Sequence, residues 1–370
     1  MIRNALIVGG GVGGMTAAIS LRRIGVKVDL IDADPEWRVY GAGISVTGIS
    51  LRAFADLGVL DQIRTRGFVG GGMRAKSAGG DTLFEAPVPT DPSPIQEGGG
   101  IMRPVLHEIL SSTVRAEGVD VRLGVKVGTL AQDDTGVDVT FSDGTSRRYD
   151  VVVGADGINS QIRGILFPDA PRPKFTGQGC WRVVAKRPPE VDRVEMYFGG
   201  PVKIGINPVS RDQMYMFILE NLPDNPFFAD DQLVPHVRAL LAPFGGNVPG
   251  VRDGITGPAE VNYRPLEWIL LPKPWYRGRV VLIGDAAHAT TPHLASGAGI
   301  AAEDGLVLAD EIARHDAIAD ALHAFMERRF ERARLVVENS VRIGDTQMAG
   351  EEQASNQMLG ATMGQLSQPY

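Results

Sequence analysis

Three times in this chain a short run of apolar, mostly β-branched residues stops at glycine: Ala5-Leu-Ile-Val-Gly-Gly-Gly, Val151-Val-Val-Gly-Ala-Asp-Gly and Val280-Val-Leu-Ile-Gly-Asp-Ala. A strand with one solvated face alternates polar and apolar residues. An unbroken apolar run instead suits a strand covered on both faces, as in a parallel sheet between helices. Ligands of such sheets bind at the carboxyl ends of the strands. The glycines and aspartates after the three runs, far apart in sequence, are therefore predicted to converge on one ligand.

The first run is the most specific. Gly9-Gly10-Gly11-Val12-Gly13-Gly14 fits G-x-G-x-x-G, with a strand before it and a helical pattern after it (Met15, Ala18, Ile19, Leu21, Arg22). In this motif Gly9 permits the tight turn, Gly11 lets a pyrophosphate approach the backbone, and Gly14 allows close helix packing. The helix start then offers free N–H groups to the phosphates. A second strand, Val26 to Ile31, ends at Asp32, 23 residues after Gly9, where an acid can hold ribose hydroxyls. Strand, glycines, helix, strand and acid in this order predict an adenine dinucleotide. Asp29, inside the second strand, is an odd polar insertion.

The chain of 370 residues is long enough for a large core and two interlocked domains. A net charge of −7, with no basic block, argues against a nucleic-acid partner. No apolar run approaches the roughly 18 to 20 residues of a membrane span, and Ala5 to Val8 leads into glycines rather than a cleavage site. A cytoplasmic enzyme with no leader to remove is expected. The single cysteine, Cys180, excludes a disulfide framework within the chain and any cysteine-rich metal site, and reads as a small core residue. His288 and His293 have no acid or cysteine to complete a ligand set, so no metal is predicted.

A plain nicotinamide dehydrogenase has no reason to carry Asp156-Gly157 and Gly284-Asp285 after two further remote strands. The three motifs together resemble the FAD-dependent aromatic hydroxylases of the para-hydroxybenzoate hydroxylase type, the single-component flavoprotein monooxygenases. The likeness runs over most of the chain: the glycine motif at 9–14, Gly154-Ala-Asp-Gly-Ile-Asn-Ser-Gln-Ile-Arg163, and a Gly-Asp motif at 284–292. It implies an α/β fold, a Rossmann-like FAD-binding domain with a mostly parallel sheet (1–70, 101–175 and 271–345), interleaved with a mainly antiparallel substrate domain (71–100 and 176–270). A C-terminal tail (346–370) follows.

The resemblance also implies roles. Asp285 accepts hydrogen bonds from the flavin ribityl chain, a polyol that needs acceptors in a dry site. Asp156 and Gly157 lie near the pyrophosphate, and Arg103 and Val127 are cofactor neighbours. Pro292 sits beside the isoalloxazine. Gly297-Ala298-Gly299 precedes a helix from Ile300 to Ile312 whose N–H groups face the flavin pyrimidine edge, where a helix start stabilises negative charge. Members often read Pro-x-x-Gly-Gln-Gly where this chain has Pro292-His-Leu-Ala295-Ser296-Gly297, so Ala295 and Ser296 depart from the pattern. Tyr40-Gly-Ala-Gly-Ile44 resembles a segment near the flavin in many members.

Residues 176–270 alternate polar and apolar stretches separated by turn residues, as in an antiparallel sheet. Residues 70–100, rich in glycine and proline, are expected to add a strand or loop to this layer. Period two puts Trp181, Val183 and Ala185 on one face and Arg182 and Val184 on the other, with Tyr215 and Phe217 sharing a face. Trp181, Arg182, Tyr215 and Phe217 are candidate substrate neighbours, although plain packing is the commoner role of sheet aromatics. Arg182 or Lys203 could bind an acidic group, with a solvated edge charge the plainer reading. His293, Pro292 and Tyr215 are candidates for catalysis, and His288 reads as structural. Arg328, Arg329, Arg332 and Arg334 read as a solvated helix face. Met348 to Tyr370 could close over the site or mediate a dimer.

The expected enzyme uses NADH or NADPH and O2 to hydroxylate a phenolic or hydroxylated heteroaromatic small molecule through a flavin hydroperoxide, as a monomer or homodimer. No second nucleotide motif marks the transiently docking nicotinamide cofactor. Alternatives on the same fold are an epoxidase, an oxidase or a halogenase, whose Trp-x-Trp-x-Ile-Pro motif is absent here, and a non-enzymatic prenyl-protein escort.

Overall fold

The computed structural model describes residues 2–39, 41–87, 95 and 98–370. The three glycine-ended runs form neighbouring strands. One six-stranded sheet has the order Tyr276–Arg277, Val280–Leu282, Val151–Gly154, Asn4–Val8, Lys27–Asp32, Asp120–Leu123, and all pairs but the first are parallel. Val8 is level with Gly154, and Gly154 with Leu282, so the three chains leave the sheet at one height. Leu6, Ile7, Val152 and Val281 have no accessible surface. Each such side chain contributes roughly 1.5–3 kcal/mol of transfer free energy, the reason for unbroken apolar runs.

Helices Val12–Arg23 and Gly297–Arg314 pack against each other beside this sheet. Their approach depends on glycine: a Cβ at Gly305 would stand 2.5 Å from the Ala17 nitrogen, and one at Gly13 would stand 3.2 Å from the Ala301 oxygen. The second helix begins at Gly297, three residues earlier than the sequence suggested, so Gly297, Ala298 and Gly299 are its first turn. Asp29 also finds its reason: its carboxylate accepts from Arg147 and from the Tyr149 hydroxyl, both at 2.6 Å, tying the parallel sheet to an antiparallel meander of Val127–Gln132, Val137–Phe141 and Ser146–Tyr149 that the sequence pattern does not announce.

A seven-stranded sheet runs Val261–Trp268, Lys174–Lys186, Gln213–Asn221, Lys203–Pro208, Val194–Phe198, Met73–Ser77, Thr82–Ala86. It is antiparallel except where Val194–Phe198 meets Met73–Ser77. Residues 70–100 thus supply two of its strands. They also supply part of a three-stranded sheet of Gly43–Val46, Gly98–Met102 and Phe68–Gly70. Residues 88–94, 96–97 and Tyr40 lie outside the described residues.

One face of the large sheet packs on helices Asp230–Leu241 and Val248–Gly254 around a second core. Trp181 belongs to that core, fully buried against Phe228, His236 and Tyr263 at centroid distances of 4.7, 4.8 and 4.5 Å. The expectation that it touches substrate is therefore corrected: it lies on the face away from Arg182.

The chain continues as a long helix, Ile318–Met348, against which helix Glu352–Leu366 packs. Here the solvated-arginine expectation fails. Arg329 has no accessible surface, and Arg332 is largely covered. Both are drawn in by Glu303 and Asp304 of the neighbouring helix, with contacts of 2.9 Å (Arg329 to Glu303), 2.8 Å (Arg329 to Asp304) and 2.7 Å (Arg332 to Glu303). Arg334 alone of the four fits the expected picture, pairing near the surface with Glu331 and Glu338.

Candidate active site

At the shared carboxyl ends of the three strands, Gly9 turns the chain at φ 107°, a value an L side chain rarely adopts. A Cβ at Gly14 would drive into the Gly9 carbonyl, whereas one at Gly11 meets nothing within 4 Å. Gly11 thus borders open space. So does Gly157, at φ 81°, with nothing within 4 Å of its notional Cβ. Asp32 accepts from the Gly10 amide at 2.7 Å and the Asp34 amide at 2.8 Å. Trp37, which carries no motif in the sequence, donates its indole N–H to the Gly10 carbonyl at 3.0 Å and fixes this turn from beneath.

Asp156 is committed locally. One oxygen accepts from the Ser160 hydroxyl at 2.5 Å and the other from the Ile162 amide at 3.1 Å, which starts helix Gln161–Leu166. Arg163 of the same motif donates to the Ala286 carbonyl at 2.9 Å and so welds the second motif to the third. Val127 is buried, and its carbonyl accepts from Gln161 at 2.9 Å.

Gly284 takes φ 57°, and Asp285 follows at the head of a short helical turn. Asp285 is exposed at this turn, although protein stands close around it. Burial raises its carboxyl pKa, opposed by His288 and Arg103. Arg103 heads helix Arg103–Ala116, and burial, then the like charge of Arg182, lowers its pKa. Next along the chain, Pro292 is exposed and opens a helical turn that ends at Ala295 with φ 48°. A left-handed alanine costs about 1 kcal/mol. Ala295→Gly is accordingly expected to raise stability by about 0.5 kcal/mol net of glycine's larger unfolded-state entropy, read as a small rise in melting temperature. This is the position where the family pattern carries glycine.

The seven-stranded sheet presents its second face to this cleft. Its register sets Val184 opposite Tyr215 and Arg182 opposite Phe217, and Lys203 opposite Leu219, which in turn faces Cys180. Directly opposed residues share a face, so Arg182, Lys203, Tyr215 and Phe217 come together. The Tyr215 hydroxyl lies 2.9 Å from Ser45 Oγ, which also accepts from Asn207 Nδ2 at 2.9 Å. Lys203 is no solvated edge charge: burial pushes its ammonium pKa down to about 8, against a weaker pull from Glu352.

His293 is set differently from expectation. Nδ1 lies 2.9 Å from Thr291 Oγ1, while Nε2 is buried without a partner against Gly344 of the long helix. Burial, then Lys203, pushes its pKa down to about 3, so the imidazole is neutral at any working pH. His288 is structural, as read: buried, it bonds Asp304 at 2.5 Å.

The site fits a dinucleotide cofactor. Glycines border open space at two loops, a helix start stands free, and a carboxylate with no hydrogen-bond donor among the described residues lines the cleft. The chain belongs to the family described as FAD binding domain, whose model matches residues 3–220 and 269–340. It is 32% identical over 371 residues to YetM of Bacillus subtilis (strain 168), covering 100% of each chain. It is 30% identical over 349 residues to the FAD-dependent urate hydroxylase of Klebsiella pneumoniae subsp. pneumoniae, covering 90% of this chain and 88% of that one. The crystal structure of Klebsiella pneumoniae HpxO complexed with FAD and uric acid superposes with a TM-score of 0.88 at 25% identity, over 99% of this chain and 97% of that one. The protein is a FAD-dependent monooxygenase that takes NAD(P)H and O2 as co-substrates.

Proposed function

We propose that this monooxygenase hydroxylates a hydroxylated heteroaromatic ring bound as its anion, between the flavin and the cleft face of the seven-stranded sheet. One observation carries this reading: Arg182 and Lys203 share that face, and among the described residues neither has a carboxylate ion-pair partner. Half-buried cations without partners are costly, and an anionic ligand offsets the cost. The relative that hydroxylates urate, an acidic heteroaromatic, supports the same class.

In this proposal Asp32 holds the adenosine ribose, and the amides of Gly11, Val12, Gly13 and Gly14, with Gly157, cradle the pyrophosphate. Asp156 shapes the Gly157 turn. Asp285 accepts from the ribityl chain, Arg103 closes the cofactor from its own helix, and Val127 is a backbone neighbour only. Gly297, Ala298 and Gly299 offer first-turn amides to the flavin pyrimidine edge, with Pro292 beside the ring. When bound, FAD supplies the redox chemistry that takes a hydride equivalent from NADH or NADPH and adds one atom of O2 to the substrate.

The chain's share is orientation, charge and dryness. Arg182 and Lys203 hold the substrate anion, which is the electron-rich form of the ring. Tyr215 and Phe217 pack its face, and Ser45 fixes the Tyr215 hydroxyl. His293 acts by shape, setting the loop after Pro292 against Gly344. The proposal places the protein in the cytoplasm, where NAD(P)H is available, as a monomer or homodimer. Among the described residues no helix is long and apolar enough to cross a membrane.

Turnover under heavy-isotope O2 with both nicotinamide cofactors and a panel of acidic and neutral hydroxy-heterocycles tests the reading. A product with one heavy oxygen from an acidic member is expected; hydroxylation of neutral members alone would sink it. Lys203 adds a pH dependence. Its ammonium is charged below about pH 8 and neutral above, so KM is expected to climb as pH rises through 8. Lys203→Met should raise KM about tenfold at pH 7 and abolish the climb, a loss of one charge-assisted contact.

A further inference from the structure

Behind Asp285 lies an ionic network that the cofactor roles above do not use. Asp304 is fully buried; its Oδ2 accepts from the Gly284 amide at 2.8 Å and meets His288 Nε2 at 2.5 Å, while Oδ1 accepts from Arg329 Nε at 2.8 Å. Arg329 also donates to Glu303 Oε2 at 2.9 Å. Glu303 in turn holds Arg332, whose Nε and Nη2 donate at 2.7 and 2.8 Å.

Arg332 then reaches residues near Tyr370. It donates to the carbonyls of Leu366 at 2.8 Å and Gln368 at 3.2 Å. Arg52, 3.7 Å from Glu303, donates to the carbonyls of Ser367 at 2.6 Å, Leu366 at 3.1 Å and Gln368 at 3.2 Å. Arg328 donates to the Tyr370 carbonyl at 3.2 Å, and the Tyr370 hydroxyl bonds Asp56. Three arginines (Arg52, Arg329, Arg332) thus face two carboxylates, and the backbone carbonyls of 366–368 supply the acceptors that the acids do not.

We propose that Glu303 and Asp304 are positioning residues for the Gly284-Asp285 turn, and that through them docking of segment 366–370 is thermodynamically linked to FAD binding. The physical reason is continuity among buried groups. If the segment undocks, Arg332 and Arg52 lose their carbonyls and compete for Glu303, which frees Arg329 to shift on Asp304, the carboxylate that fixes the Gly284 amide. A carboxylate at residue 285 that is not held in place binds a polyol less well. Linkage is reciprocal: FAD must tighten the segment by the factor by which the segment tightens FAD. This rests on the assignment of Asp285 to the flavin ribityl chain.

The test uses the full chain, loaded with FAD and stripped of it. Hydrogen exchange of residues 366–370 is expected to slow several-fold on FAD addition. Arg332→Gln is expected to raise the FAD dissociation constant about tenfold and to erase that slowing, with Arg332→Lys, which keeps the Glu303 pair but fewer carbonyl bonds, in between. If Arg332→Gln does not fold, Arg52→Gln is the second variant, with the same two expectations. Exchange unmoved by FAD, or a variant that keeps wild-type FAD affinity, overturns the linkage. So does a variant whose melting temperature falls equally with and without FAD, since that is a purely structural loss. Failure of the Asp285 assignment is told apart by Asp285→Ala, whose FAD affinity would then match wild type.

Discussion

Gly11→Val is expected to leave the protein folded and largely empty of FAD. Gly11 has φ −77° and ψ −175°, extended backbone that any residue adopts, and a Cβ there meets no protein atom within 4 Å. The apo protein should therefore melt within about 0.5 kcal/mol of wild type. The open space is what a pyrophosphate needs, and a valine there bars its approach to the amides. A rise in the FAD dissociation constant of more than about a hundredfold is expected, measured by quenching of flavin fluorescence on titration into apo protein. Full loading of the variant would mean that the nucleotide lies elsewhere. Gly14 makes the contrast: a Cβ there strikes the Gly9 carbonyl, so substitution would damage the fold and say nothing about the ligand.

Asp285→Ala is expected to weaken FAD by roughly 10- to 150-fold, the loss of one or two hydrogen bonds to a charged acceptor at about 1.5–3 kcal/mol. Asp285→Asn, which keeps a carbonyl acceptor, should fall between. The apo protein should lose little stability, because among the described residues no donor hydrogen-bonds the carboxylate and the attraction of His288 and Arg103 only partly offsets its desolvation. Wild-type affinity in the alanine variant would remove Asp285 from the cofactor site.

Backbone requirements are the most legible part of this chain. Glycine motifs and double-sided apolar runs report steric facts local to a few residues, so the three strand ends, and their meeting at one end of a parallel sheet, can be read from the residues themselves. Faces of the sheet are legible from period two, yet which face looks into the cleft is not, because that depends on which side the helices cover. Trp181 shows the difference: its alternation is as expected, and its neighbours are not. The buried arginines are misread when charge is counted and helical phase is not. Arg329 falls on the stripe of Leu322, Phe325, Met326, Ala333 and Val336, and Glu303 and Asp304 fall between Ile300 and Val307 on theirs. A charged residue in the apolar phase of a helix signals a buried partner on another helix. Lys203 and His293 are opaque for a different reason: their burial comes from distant elements, the long helix and the strand neighbours, that no local window contains.

The order of strands in the parallel sheet has a consequence for synthesis. Asn4–Val8 emerges early but lies between Lys27–Asp32 and Val151–Gly154, and the latter must wait for Val280–Leu282 on its other side. For well over a hundred residues of translation, this apolar strand keeps one hydrogen-bonding edge without its native neighbour. An open edge of that kind invites pairing with another chain, and closing it requires contacts of high sequence separation. Overproduction of this protein at high temperature should therefore favour inclusion bodies, and a slower supply of nascent chain, or a chaperone that shields the first thirty residues until the third strand arrives, should favour the folded enzyme.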